Sequence, residues 1–185
     1  MGYHTLYILH RILRDVKPKR ILELGLGEST KILTQYAMDN PDIEHYVVEH
    51  DQNWIDFFCK NYSPAKNTEI VTLPWGFKDF KEAESVRIYD GFEERFANGK
   101  YDLILVDAPL GGDMTMYSRI DTLSLLPNNL AESFVIIFDD YQRTAEKNTV
   151  KEMLTLLPQY KQGNYRGETD VSIICSLDLK FLATL

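Results

Sequence analysis

Five acidic residues at the ends of predicted strands are the candidates for chemistry in this sequence. They are Glu23, Glu49, Asp107, Asp139 and Asp140, and each stands at or near the carboxyl end of a short apolar run. Carboxylates can accept hydrogen bonds from ribose hydroxyls, hold a divalent cation or take a proton from a substrate. Because ligands of open α/β sheets bind where the parallel strands end, we expect these side chains to converge on one crevice.

The first acid belongs to a strand, a glycine turn and the start of a helix. Residues 21–24 supply the buried strand, and Gly25 and Gly27 allow positive φ and a close approach to the backbone. Ser29 or Thr30 can cap the helix that follows. Free N–H groups at a helix start favour an electron-rich ligand group. The turn is therefore a candidate nucleotide site.

The second acid, Glu49, lies 24 residues after Gly25. An acid about 20 residues beyond a glycine turn can accept both hydroxyl hydrogens of a ribose. Asp51 is predicted to cap the next helix, and His50 between them is interpreted as a surface residue. A dinucleotide fingerprint would need a glycine at Thr30, and the phosphate-binding P-loop pattern is missing.

The spacing Glu23-x-Gly25-x-Gly27-x-Ser29-Thr30 resembles that of the class I S-adenosylmethionine-dependent methyltransferases. The resemblance implies that the turn holds the methionine and ribose end of this cofactor, and that residues after the third strand contact its adenine. The predicted cofactor-binding residues are Glu23, Gly25, Gly27, Ser29, Thr30, Glu49, Trp75, Gly76 and Asp107.

The predicted catalytic residues Asp107, Asp139 and Asp140 allow two mechanisms. They are similar to the acids that hold a divalent ion such as Mg²⁺ in catechol-type O-methyltransferases, although no asparagine completes the set here. Alternatively, one carboxylate acts as a base without a metal. Residues 107–109 and 48–54 also resemble polysaccharide-modifying enzymes such as glucuronoxylan O-methyltransferase. We favour the metal-free base. Substrate-binding residues are predicted at Tyr117, Arg119 and Tyr141.

Strands and helices alternate around these residues. A helix is predicted over residues 3–16, and further strands over 46–48, 70–73, 101–106 and 134–138. Helices are predicted from about Ser118 and over 144–157, and a hairpin over 160–165 and 170–175. Residues 75–98 give no clear pattern. This order predicts a doubly wound, mainly parallel α/β sheet flanked by helices, with a C-terminal antiparallel hairpin, as the resemblance also implies.

Length and charge narrow the classes of function. The 185 residues suit a single domain, comprising an N-terminal helix (1–18), a cofactor and acceptor core (19–141), and a last helix with the hairpin (142–185). The net charge of −8 disfavours nucleic acid as a partner. No apolar run predicts a membrane span. Two cysteines without a disulfide or metal pattern favour the cytoplasm.

These observations together predict S-adenosylmethionine-dependent methyl transfer to a hydroxyl of a small molecule or saccharide. Two alternatives stay open, a nicotinamide-dependent oxidoreductase and a non-catalytic cofactor-binding or assembly module with the same fold. A homodimer is left open as well. The missing glycine at Thr30 and the terminal hairpin argue against the oxidoreductase.

Overall fold

A computed structural model describes residues 1–184, which form a seven-stranded sheet with helices and a separate two-stranded sheet. The helices are α1 (Tyr3–Val16), α2 (Glu28–Asp39), α3 (Gln52–Asn61), α4 (Phe92–Phe96) and α5 (Thr144–Leu156). The strands are β1 (Arg20–Leu24), β2 (Glu44–Glu49), β3 (Thr68–Thr72), β4 (Trp75–Phe80), β5 (Ala83–Tyr89), β6 (Tyr101–Val106), β7 (Leu130–Phe138), β8 (Lys161–Tyr165) and β9 (Val171–Cys175). Two 3₁₀ segments span Ile120–Leu125 and Leu177–Thr184.

The order of strands in the large sheet is β3-β2-β1-β6-β7-β9-β8. The first five are parallel, whereas β9 is antiparallel to both β7 and β8. The chain runs outward from β1 to β3 and then returns to pair β6 with the other side of β1. Strand order therefore reverses between β1 and β6, which is the position where open α/β sheets bind ligands.

Alternate side chains of the central strands supply two separate core layers. Leu22, Ile104 and Ile136 pack in one layer together with residues of α4 and α5. Their neighbours Ile21 and Leu103 pack in the other, with residues of α1 and α2. Because successive side chains of a strand point to opposite faces, this alternation places helices on both faces of the sheet. The predicted doubly wound sheet with a terminal hairpin is confirmed.

The structure differs from the prediction in two segments. Residues 75–98, which gave no clear pattern, contain the antiparallel pair β4–β5 and the short helix α4. Lys78 and Asp79 in β4 are exposed, so this strand lacks a regular apolar alternation. The helix expected from about Ser118 is a single 3₁₀ segment, which ends before Pro127 because proline disfavours helical backbone in the residue that precedes it.

Within the described residues, no helix has the length and apolar character needed to cross a bilayer.

Candidate functional site

A cleft of about 390 Å³ opens at the carboxyl ends of β1, β2 and β6. Its wall includes Glu49 and Asp107, with the glycine turn after β1 between them, so the convergence of strand-end acids is confirmed for these two residues. A larger cavity of about 540 Å³ lies against α2 and the segment before β3, but none of the predicted site residues lines it. The cleft is therefore chosen by its chemistry and by the strand reversal, not by its size.

The two glycines of the turn have different roles. Gly25 has φ of 103° and donates its N–H to the carbonyl of Val48 at 2.9 Å. A Cβ at this position would lie 3.0 Å from the Cβ of Ala108, so both conformation and space require glycine. Gly27 has an extended φ of −171°, so of the two glycines only Gly25 uses the positive φ that glycine allows. A Cβ at Gly27 would meet only open space, which leaves its backbone accessible from the cleft.

The start of α2 also differs from the prediction. The helix begins at Glu28 with Gly27 as the N-cap, so neither Ser29 nor Thr30 is the capping residue. The hydroxyl of Thr30 instead accepts the N–H of Gly27 at 2.9 Å, and its side chain is buried away from the cleft. Ser29 does line the cleft, and its hydroxyl donates to the carboxylate of Glu23.

Glu23 lies beneath the turn rather than on the cleft wall. Its carboxylate is fully buried and contacts both Ser29 and Nε2 of His45, the latter at 3.0 Å. His45 Nδ1 in turn lies 3.1 Å from the hydroxyl of Thr68. The sequence predicted Glu23 as a cofactor ligand, but these partners show a buried polar network that connects β1, β2, β3 and α2.

Glu49 is buried at the end of β2 and lies on the cleft wall. Its carboxylate accepts the N–H groups of Leu26 at 3.3 Å, His50 at 2.7 Å and Asp51 at 3.1 Å. Its Oε1 also lies 2.6 Å from Nδ1 of His50. These donors fix the carboxylate beside the glycine turn. Asp51 accepts two N–H groups of the first turn of α3, which confirms its predicted cap.

Two aromatic residues, Trp75 in β4 and Tyr89 in β5, complete this side of the cleft. Trp75 lines it as predicted, with its indole stacked on the His50 ring. Gly76, also predicted to bind the cofactor, does not line the cleft. A Cβ at this position would lie 1.8 Å from Oδ1 of Asp90, so close packing explains the glycine. Tyr89 lines the cleft but was not predicted. Burial, with the nearby charge of Glu49, raises the pKa of Tyr89. Tyr89 reaches the cleft because it pairs with Trp75 between β4 and β5, a pairing that the sequence pattern of residues 75–98 did not indicate.

Asp107, Asp139 and Asp140 lie together at the ends of β6 and β7, with one carboxylate oxygen from each within 4.8 Å of the others. Asp107 reaches the cleft, where 24% of its side chain is exposed. Asp139 is fully buried and accepts the hydroxyls of Thr5 and Thr169, each at 3.0 Å. The predicted cluster of three acids is thus present, although its members differ in environment.

The guanidinium of Arg119 lies within this acid cluster. It is 2.8 Å from Asp140 and 3.3 Å from Asp107, and it donates to the carbonyl oxygens of Pro109 and Asp139. Arg119 is 2% exposed, so these contacts occupy a side chain that the sequence predicted to bind substrate. In the structure Arg119 is the cation that neutralises these acids, and its contact with a substrate stays a prediction.

The cluster offers mixed support for a metal ion. Oδ2 of Asp139 is buried and has no hydrogen-bond donor among residues 1–184, which suits a cation. That oxygen lies 3.7 Å from the amino nitrogen of Met1, however, and Arg119 already supplies a positive charge to Asp107 and Asp140. The three carboxylates therefore fit an acid cluster neutralised by protein cations better than a complete set of ligands for a metal ion.

Burial raises the pKa of Asp107 to about 6. The negative charges of Asp139 and Asp140 act in the same direction, while Arg119 and the Met1 amino group lower it. A carboxylate in this range is ionised at neutral pH yet basic enough to take a proton from a bound hydroxyl. Asp107 is therefore the acid of the cluster best suited to general base chemistry.

Two predicted substrate-binding residues lie away from the cleft. Tyr117 packs edge-on against Phe80, with ring centroids 5.0 Å apart, and its hydroxyl lies 3.5 Å from Glu152. Tyr141 donates its N–H to Asp170, and its hydroxyl accepts from a side-chain amide of β8. Both rings serve packing between elements, and a substrate contact at either residue stays a prediction.

Solved structures with similar folds include several methyltransferases. A Staphylococcus aureus protein assigned as a caffeoyl-CoA O-methyltransferase is 18% identical, with a TM-score of 0.63 over 95% of this chain and 84% of that one. The Podospora anserina methyltransferase PaMTH1, bound to S-adenosylhomocysteine, is 17% identical, with a TM-score of 0.59 over 91% and 75%. TomG of Streptomyces achromogenes, an O-methyltransferase involved in tomaymycin synthesis and bound to S-adenosylmethionine, is 14% identical, with a TM-score of 0.59 over 95% and 81%.

No protein-family model matches the sequence, and no curated protein matches it at a significant level. At identities below 20%, the similarity to solved structures establishes the fold. That fold is Rossmann-like and is shared with the methyltransferases among these solved structures, in agreement with the predicted fold.

Proposed function

We propose that the protein transfers a methyl group from S-adenosylmethionine to a hydroxyl oxygen of a small molecule or saccharide. One observation carries the proposal: Glu49 and Asp107 line the same cleft, on either side of the glycine turn, where the strand order reverses. A ribose-binding acid and a base candidate are thus combined at the ligand-binding edge of a methyltransferase fold. Similar solved structures that hold the cofactor or its product add support.

The residues of the cleft would share the work as follows. Glu49 would accept hydrogen bonds from the ribose hydroxyls, and the open backbone at Gly27 would contact the methionine end. The cofactor supplies a methyl group on a positively charged sulfur. Asp107 would take the proton of the acceptor hydroxyl as the oxygen–methyl bond forms and the sulfur–methyl bond breaks. Holding the oxygen in line with the methyl group accounts for most of the protein's contribution.

A base mechanism without a metal is part of the proposal. Arg119 neutralises the negative charge of Asp107 and Asp140, which would otherwise favour a bound divalent ion. Mg²⁺ would bind, if anywhere, to Asp107, Asp139 and Asp140. The mechanism proposed here needs no such ion.

The acceptor is proposed as a small molecule or a saccharide, and not nucleic acid, because the chain carries a net charge of −8. Both cysteines, Cys59 and Cys175, are free thiols, which supports a cytoplasmic location as part of the proposal.

Binding and turnover test the proposal separately. A thermal shift with S-adenosylhomocysteine but not with NAD is the expected result, and the opposite preference would favour the nicotinamide-dependent alternative. Methyl transfer from labelled S-adenosylmethionine to members of a phenol, catechol and saccharide panel would establish the activity. Binding of the cofactor without turnover on any acceptor would favour the non-catalytic module instead.

A further inference from the structure

The imidazole of His50 stands where a bound nucleoside would make its contacts. We propose that this ring is a displaceable occupant of the cleft, and that the need to displace it sets the affinity for S-adenosyl compounds. The inference rests on the proposed function, since it takes Glu49 as the acceptor for ribose hydroxyls.

His50 makes the two contacts that the cleft offers to a nucleoside. Its ring stacks on the indole of Trp75, with centroids 3.7 Å apart and planes inclined by 14°. Its Nδ1 lies 2.6 Å from Oε1 of Glu49. A nucleoside would likewise place a flat ring on the indole and hydroxyl donors on the carboxylate. All three residues line the cleft.

The stack leaves no space for a second ring between its members. A separation of 3.7 Å is the contact distance of two aromatic faces, and an inserted base would need about twice that distance. A base can therefore stack on the face of Trp75 that adjoins the cleft only after the His50 ring has moved.

Arg87 is the other group on Trp75, and it is held too firmly to move instead. Its Cζ lies 4.6 Å from the indole centroid. Its guanidinium makes two bonds to Asp113, at 2.7 and 2.6 Å, and a third to the carbonyl of Leu110. Arg87 is 8% exposed and does not line the cleft, whereas the side chain of His50 is 31% exposed. The cleft side of the indole is thus the side that His50 covers.

Displacement of His50 reduces the observed affinity by the strength of the contacts that are broken. A stacked aromatic pair is strong enough to change an equilibrium constant by about 2- to 10-fold. His50→Ala should therefore bind S-adenosylhomocysteine about 2- to 10-fold more tightly than the wild type. His50→Phe keeps a flat ring on Trp75 but loses the contact with Glu49, so its affinity should lie below that of His50→Ala.

Calorimetry with S-adenosylhomocysteine on the four full-length proteins tests this: wild type, His50→Ala, His50→Phe and the control His10→Ala, an exposed position on α1. Tighter binding by His50→Ala than by the wild type, with His10→Ala unchanged and His50→Phe weaker than His50→Ala, supports displacement. Equal or weaker binding by His50→Ala, with the wild type binding normally, overturns displacement and leaves the proposed function intact. No binding by any of the four overturns the proposed function as well.

Proton NMR of the histidine rings gives a second readout that does not depend on affinity. The chain has four histidines, and the signals lost in His50→Ala identify His50. In the free protein its ring protons should be shielded by the indole, and S-adenosylhomocysteine should move them toward their positions in an unstructured peptide. Shielding that persists in the saturated complex would show that the stack survives binding, and would overturn the proposal.

Discussion

Arg119 and Asp140 face each other with left-handed backbones, at φ of 55° and 59°, and their side chains form an ion pair of 2.8 Å. This conformation costs on the order of 1–3 kcal/mol for a residue other than glycine, and it persists only where the surroundings fix it. The two residues lie on the segments that follow β6 and β7. Two of the five non-glycine residues with positive φ among residues 1–184 thus lie at the acid cluster, where the proposed chemistry takes place.

Removal of Arg119 should be costly for stability. Arg119→Met leaves the buried carboxylates of Asp107 and Asp140 without their shared cation, and we expect a loss of about 3–5 kcal/mol in the free energy of unfolding. Arg143→Met removes the other partner of Asp140, but this arginine is 37% exposed, and we expect a loss of less than about 1 kcal/mol. Urea denaturation of both variants makes the comparison. Equal losses would contradict a central position for Arg119.

The pKa of Asp107 predicts how turnover depends on pH. Because its base form is needed, kcat/KM should rise with pH and level off above about 6. Asp107→Asn should reduce turnover by at least about 100-fold without a comparable loss of cofactor affinity. A variant that retains this pH profile and most of its turnover would exclude Asp107 as the base.

The raised pKa of Asp107 also affects stability, but in the opposite direction: turnover should rise with pH, whereas the contribution of this residue to the stability of the folded protein should fall. Folding raises the pKa of Asp107 from 3.8 to about 6, so the folded protein holds this proton more tightly than the unfolded chain. Its contribution is therefore greatest below pH 3.8 and is lost as pH rises through about 6. Asp107→Asn should consequently be more stable than the wild type at pH 8, by up to about 3 kcal/mol. Thermal unfolding at pH 8 and at pH 4 measures the difference, which should shrink at the lower pH.

Chelation separates the base mechanism from a metal mechanism. With Arg119 in the cluster, we expect EDTA to leave turnover unchanged and Mg²⁺ to add nothing. Calorimetry should detect no Mg²⁺ binding that Asp139→Asn removes. Turnover that EDTA abolishes and Mg²⁺ restores would show that the acid cluster holds a metal.

Substitution of the two glycines of the turn should affect different properties, stability at Gly25 and cofactor binding at Gly27. Gly25→Ala is expected to lower stability, since φ of 103° disfavours alanine and the added carbon meets Ala108, and Gly25→Val should be worse. Gly27→Ala should fold normally, because φ is extended and the space is open, but its methyl group would reduce contact with S-adenosylhomocysteine. Thermal unfolding and calorimetry on each variant distinguish the two effects. Normal cofactor binding by both variants would mean that the turn is only structural.

Glu49 should affect binding more than any other acid of β2. Glu49→Ala removes charge-assisted hydrogen bonds to the ribose, each worth about 1.5–3 kcal/mol, so affinity for S-adenosylhomocysteine should fall at least 10-fold. Glu44→Ala, an exposed acid on the same strand, should leave affinity unchanged. Unaltered calorimetric affinity in Glu49→Ala would remove this residue from the ribose role.

The sequence was sufficient for features that depend on local pattern. The buried strands, the positive φ of Gly25 and the cap at Asp51 follow from residue type and spacing alone. The presence of Glu49 and Asp107 in one cleft also follows, since parallel strands end at a common edge.

Features that depend on tertiary contacts could not be predicted in this way. Arg119 has the same charge whether it binds substrate or neutralises acids, and only its distances to Asp107 and Asp140 decide between the two. Glu23 was predicted to bind a cofactor because no local signal reveals His45, which approaches it from a neighbouring strand. His50 was interpreted as a surface residue for the same reason, since its partner Trp75 belongs to a hairpin without a readable pattern.

Arg87 connects the two ends of the cleft. It contacts Trp75, a wall residue at the end of the cleft proposed for the cofactor, on the side of the indole away from His50. It also bonds to Leu110 and Asp113 in the loop that follows Asp107. A molecule that shifts this loop would therefore disturb the wall against which the cofactor packs, and the reverse also holds. Steady-state kinetics should accordingly show that each substrate changes the KM of the other, rather than independent binding.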